Sequence, residues 1–263
     1  MLIALWSGMA FTLAAVRTRP MPIALRAFVA TVIAAGLFAV LAPGLPLRDP
    51  RLWYWAAACA VGEMMWLRLP LGRATMSMGS TANFAALLVL PTPLAIPAAT
   101  LASVCVERAI LKKPLVRALF NAAGTALTVG ATGLVLHLIS PAGPFALHDA
   151  RLLLELATAA ATYYMLNRSL VTAVLALDGA LPMSLVWRRN FGLFRDLVPS
   201  GAALSLGVLL AVLHQQAGLV AVAFVLLPAL LVFEGHRRLY TATATRDGSR
   251  PPVLGATGRA VSE

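Results

Sequence analysis

A membrane-spanning, all-α bundle of eight or nine helical segments, two of them short, is the fold class this sequence predicts. Three observations carry that expectation. Apolar residues make up 60% of the chain and charged ones only 12%, against about 45–50% and about 25% in soluble domains. The apolar residues come in runs near the ~20 that a helix needs to cross a bilayer. Lysine and arginine gather between those runs, chiefly in alternate connections, as they do in the cytoplasmic loops of membrane proteins.

The expected segments are 2–16, 23–43, 52–68, 76–90, 93–108, 118–139, 152–177, 197–214 and 218–234. The first is short, and no positive charge precedes it, so it does not read as a cleaved signal peptide. Segments 76–90 and 93–108 are also short and meet at Pro91-Thr92-Pro93. They are expected either as two tilted spans or as a helical hairpin that stops short of a full crossing. Residues 1–240 form the membrane domain on this reading. The polar, unpatterned residues 241–263 form a disordered cytoplasmic tail.

Charge sets the orientation. The densest basic connection, Arg108, Lys112, Lys113 and Arg117, is placed in the cytoplasm. Alternation then puts the Arg17–Arg19, Arg68–Arg73, 178–196 and Arg237–Arg238 regions inside, with the N-terminus outside. Only the 44–51 connection, with two arginines, strains the rule. A net charge of +11 would suggest nucleic acid in a soluble chain. Here it is accounted for by these loops, and no nucleic-acid partner is expected. The chain is expected in a bacterial inner membrane, multi-pass, with its C-terminus cytoplasmic.

Residues 183–196, MSLVWRRNFGLFRD, do not span. Trp187, Phe191 and Phe194 alternate with Arg188, Arg189 and Arg195, a mixture suited to a helix lying on anionic inner-leaflet lipid. An ordinary basic loop is the plainer alternative.

Ionisable and amide side chains inside spans are costly and face a bundle interior or cavity. Seven form an expected intramembrane polar belt towards the cytoplasmic side: Arg26, Glu63, Asn83, Glu107, Asn121, Asn167 and Arg168. Glu63 precedes Arg68 by five residues, so it is expected roughly 7–8 Å beneath the inner interface. Arg26, entering from the same side at similar depth, is its expected ion-pair partner. The outer halves carry mainly Thr, Tyr and the interfacial histidines His137 and His214. In 118–139, Ala122, Ala126 and Gly130 recur every four residues and give a small-residue face for close helix packing. A stripe of Asn121, Thr125, Thr128 and Thr132 lies beside it.

Catalytic signatures are missing from the sequence: there is no HExxH, GxSxG, CxxC or glycine-rich phosphate loop. His148-Asp149 stands alone in an outside connection, and Cys59 and Cys105 each lie singly in apolar runs. No enzymatic activity, metal or cofactor is expected.

The order of motifs carries a resemblance. A span ending in GEMMWLRLP is followed by the polar stretch ATMSMGSTANFAALLVLPTP. A basic connection then opens a helix with KKPLVRALFNAAG, and a later helix holds YMLNRSL. Over about residues 20–240 this resembles the multi-span N-terminal membrane modules of bacterial signalling proteins that end in HD-type phosphohydrolases or diguanylate cyclases. Glu63, Asn121 and Asn167 are the matching positions. The resemblance implies a sensor or anchor module. No catalytic domain follows Tyr240 here, so output is expected through a separate cytoplasmic signalling protein. Segment 2–16 is a second departure. A fainter likeness in architecture alone, to the substrate-binding membrane subunits of energy-coupling vitamin transporters, keeps a small-solute binder or transporter as the alternative. Its ligand is not specified by the sequence, and homo-oligomerisation is left open.

Overall fold

The computed structural model describes residues 21–68, 75–140, 150–191 and 196–218, with 220, 222, 223 and 225. Within them eight α-helices run in sequence. These are α1 (Ile23–Leu41), α2 (Pro50–Met64), α3 (Gly79–Val89), α4 (Thr92–Cys105), α5 (Leu115–Ile139), α6 (Ala150–Gly179), α7 (Met183–Asn190) and α8 (Val198–Ala217). Four stretches are long and apolar enough to cross a membrane: α1, Thr92–Ile110, α5 and α8. A fifth is counted if α6 and α7, bent by 117° at their junction, make one broken span. Among the described residues, then, four or five candidate spans stand where eight or nine segments were expected. Segment 2–16, most of 218–234 and the tail 241–263 lie outside the described residues.

The helices start where proline permits. A missing N–H costs nothing in a first turn. Asp49 caps α2 by accepting from the Arg51 backbone N–H at 2.9 Å, with Pro50 in the first turn. Pro91, Pro114 and Pro182 sit at the N-caps of α4, α5 and α7, and α8 carries a proline in its first turn. Pro97 lies inside α4, where it removes one hydrogen bond of the helix.

One feature departs from the all-helical expectation. α2 stops at Met64, and the chain forms two three-residue antiparallel strands, β1 (Trp66–Arg68) and β2 (Thr75–Ser77), paired Trp66 with Ser77 and Arg68 with Thr75. The backbone N–H of Met78 donates to the carbonyl of Met65 at 3.0 Å and closes the ladder. Helix periodicity in an apolar run cannot reveal so short a ladder. As a result Glu63 lies in the last turn of α2, not five residues within a span.

α5 is central, packing on α1, α4 and α6. Gly36 of α1 permits one close approach, since a Cβ there would strike the backbone of Ala123. On the other side Ala122 and Ala126 are buried, and Gly130 faces Ile96 of α4. α3 lies against α2 and α8 and is buried along nearly its whole length. A helix covered on every side by its neighbours belongs inside a bundle, so its 11 residues need not cross anything. The main core joins Leu52, Trp55, Phe84, Ala95, Tyr163 and Leu210. A second cluster joins α1 and α5 through Val29 and Phe120. Large apolar side chains remain exposed on the perimeter, among them Phe38, Leu134, Leu138 and Leu153. That distribution suits helices facing lipid.

Candidate functional site

Three polar clusters are built where α2 meets α3, α4 meets α5, and α6 meets α8. The contacts place the ends of α2 and α4, and the second half of α6, beside the starts of their partners, so all three lie towards one end of the bundle. That end also carries Arg108, Lys112, Arg188 and Arg189, and is called the basic end below.

The first cluster starts from a helix terminus without a cap. Met78 precedes α3 and gives no side-chain hydrogen bond to its first turn. The Glu63 carboxylate lies over that turn instead, occupying the space a Cβ of Gly79 would fill. A negative charge is favourable there, because the first N–H groups of a helix lack partners and carry partial positive charge. Asn83, one turn along α3, donates its amide to Glu63 Oε1 at 3.4 Å, a long bond. Asn83 is only 2% exposed, and its Oδ1 has no hydrogen-bond partner.

The second cluster depends on a local unwinding of α4. Its last turn, Val106–Ile110, is a π-helix. Lys112 then takes a positive φ of 50°, and the Lys113 backbone N–H returns to the Glu107 carbonyl at 2.9 Å. This swings the Lys113 ammonium onto Glu107 Oε1 at 2.6 Å. Asn121 of α5 donates to both carboxylate oxygens, at 2.6 and 2.8 Å. Arg108 donates to the Lys113 carbonyl at 2.8 Å. Glu107, 8% exposed, is therefore neutralised and hydrogen-bonded at once, as a buried carboxylate must be to persist.

In the third cluster Arg168 of α6 holds Asp196, just before α8, through two bonds, Nε to Oδ2 at 2.8 Å and Nη2 to Oδ1 at 2.7 Å. Nη2 also donates to Ser200 Oγ at 2.8 Å, and Tyr164 donates to Asp196 Oδ2 at 2.9 Å. The guanidinium carbon lies 5.6 Å from the centroid of the Tyr164 ring and 5.5 Å from that of Phe191. Aromatic faces on a desolvated cation add to its stability. Arg168 is 7% and Asp196 8% exposed.

Of the seven expected belt residues, Glu63 and Asn83 meet in the first cluster, Glu107 and Asn121 in the second, and Arg168 anchors the third. Asn167 is half-buried beside Arg168, outside the three clusters. Arg26 is exposed. The Arg26–Glu63 pair expected from chain order gives way because α1 packs chiefly on α5, while Glu63 turns towards α3. Ala122, Ala126 and Gly130 lie in the close packing of α5. Of the interfacial residues, Trp187 and Phe191 are half-buried with rings 5.2 Å apart. Arg188 and Arg189 are exposed, and Phe194 and Arg195 lie outside the described residues.

Sequence reasoning missed Asp196, Ser200 and Tyr164 as partners of Arg168. The tyrosine, one turn before Arg168, was the available signal. It also missed Glu155, which shares the inward face of α6 with Ala159 and Tyr163 near the opposite end. Glu155 is 8% exposed and lies 3.6 Å from Arg151. The buried polarity is thus weighted to one end without being confined to it. The opposite end also holds rings of Tyr54, Trp55 and His214, with the Tyr54 hydroxyl and His214 Nδ1 buried without partners. No known protein family, curated protein or solved structure matches this chain.

Proposed function

We propose that the chain is a sensor or anchor module of a bacterial inner membrane, performing no reaction itself and acting through a separate cytoplasmic signalling partner. The observation that carries this reading is the basic end. The crosswise helix α7 presents Arg188 and Arg189 there, beside three buried clusters that each tie two helices together. An exposed basic surface coupled to stiff polar ties suits an end that passes helix displacement to a protein outside the bilayer. In this reading the basic end is cytoplasmic by the positive-inside bias, and eight or nine segments cross or enter the membrane. The resemblance of GEMMWLRLP, KKPLVRALFNAAG and YMLNRSL to signalling membrane modules supports it as well.

Photo-crosslinking in intact cells tests the reading. A benzophenone side chain at position 189 is expected to give an adduct with a cytoplasmic signalling protein, and one at position 138 is not. Adducts from neither position, or from both alike, would sink it.

One observation favours the second reading, a small-solute binder. Among the described residues, Asn83 Oδ1 is buried beside Glu63 without a partner, an acceptor left for a donor group of a bound solute. A metabolite that raises the melting temperature of the native protein but not of N83A would favour this reading over the first.

A further inference from the structure

The perimeter of the basic end mixes two kinds of exposed side chain. Arg26, Arg108, Lys112, Arg188 and Arg189 are exposed. So are the large apolar residues Ile23, Ile110, Leu115, Leu181, Met183 and Val198. Among the described residues, the neighbouring carboxylates turn inward or are half-buried rather than lying open beside these cations. Glu63, Glu107 and Asp196 turn into the three clusters, and Asp178 is half-buried. A protein interface gathers its apolar groups into one patch, whereas these stand on α1, α5, α7 and α8. A bilayer surface suits that spread, since acyl chains meet the apolar groups while headgroup phosphates meet the cations.

One corner of this rim is connected to the interior. α7 folds back from α6 at 117°, buries Val186, and exposes Arg188 and Arg189. Its Trp187 packs on Phe191, and Phe191 covers the Arg168 guanidinium. Arg168 in turn grips Asp196 and Ser200 at the start of α8. The contacts therefore run without a gap from a surface pair of arginines to the entry of a membrane helix.

We propose that anionic phospholipid is a regulatory ligand of this chain, bound by Arg188 and Arg189 on α7 and read out as tightening of the Phe191–Arg168–Asp196 tie. This goes beyond the partner reading above and holds whether or not a cytoplasmic protein docks. Lipid charge that draws α7 onto the surface holds Phe191 against Arg168 and fixes the relation of α6 to α8. On a neutral surface α7 lifts more readily, and the start of α8 loosens with it.

The test is amide hydrogen exchange on the full chain in nanodiscs of phosphatidylcholine alone or with about one third phosphatidylglycerol. Residues 183–190 should exchange up to ~30-fold more slowly in the anionic discs, given two cations near a charged surface, and the gain should shrink in high salt. Protection should extend to 196–204. R188Q/R189Q should abolish both gains. F191A should keep the first and lose the second. Equal exchange in the two lipids, or gains that survive R188Q/R189Q, would overturn the proposal. So would protection of α7 in neutral discs by soluble polyglutamate with none from phosphatidylglycerol, because the face would then fit an acidic protein.

Discussion

Glu63 illustrates how a carboxylate can be accommodated at a helix end that disfavours it. It sits in the last turn of α2, where the helix dipole is unfavourable, and draws its compensation from the first turn of α3. A methyl group at Gly79 would displace it. G79A is therefore expected to destabilise the protein by about 1–3 kcal/mol, measured as thermal unfolding in detergent, and E63Q should cost less than G79A. At the third cluster the asymmetry between breaking and replacing an ion pair can be measured directly. D196L alone strands a buried guanidinium and is expected to cost about 3–5 kcal/mol, whereas R168M/D196L should recover much of that loss. A double variant as unstable as the single one would show that the tie matters for shape more than for charge. Asp49 gives a pH dependence at the opposite end. The Arg51 side-chain hydrogen bond, with a second from its backbone, holds the Asp49 carboxyl below its ordinary value of 3.8. The cap is thus fully present above that value and lost as pH falls through the lower, folded-state one. Protection of the first turn of α2 against hydrogen exchange, taken relative to the intrinsic rate at each pH, should fall over that acidic window, and the fall should be absent in D49A.

Among the elements, α5 was the most legible. Ala122, Ala126 and Gly130 announced a close-packed face, and Asn121 announced a polar contact, because small and amide residues at helical spacing have few other uses in a membrane helix. The G36V variant should force α1 off Ala123 and cost about 1–3 kcal/mol, with loss of the Phe28–Phe120 ring contact at 6.3 Å as its spectroscopic sign. α2 was less legible. Its apolar run continues through Leu67, so hydropathy carries the helix past Met64, while the ladder that ends it depends on pairing with residues seven to eleven positions away. The partners in the clusters were hidden for a related reason. Asp196 lies 28 residues from Arg168 and Asn121 lies 14 from Glu107. Spacing within one helix could find the residues that need partners, though not which helix would supply them.

For the whole molecule, alternation of direction brings the start of each helix to the level of its predecessor's end, so one end collects the polar ties and the exposed cations. The expected orientation has a direct check. Cysteines placed at Leu47 and Arg189, in a background with Cys59 and Cys105 replaced by serine, should react with an impermeant maleimide from opposite sides of sealed vesicles. Labelling of both from one side would reverse the assignment of the ends or break the alternation. The same alternation joins helices of very unequal length. α2 has 15 residues and α6 has 30, so at 1.5 Å per residue they measure about 22 and 45 Å beside a hydrocarbon layer of about 30 Å. Lipid along α2 must thin, while the flank of α6 must tilt or stand proud of the layer. Bilayer thickness therefore bears unevenly on this protein, and a thicker membrane would strain the α2 side first, where Glu63 and the two short strands lie.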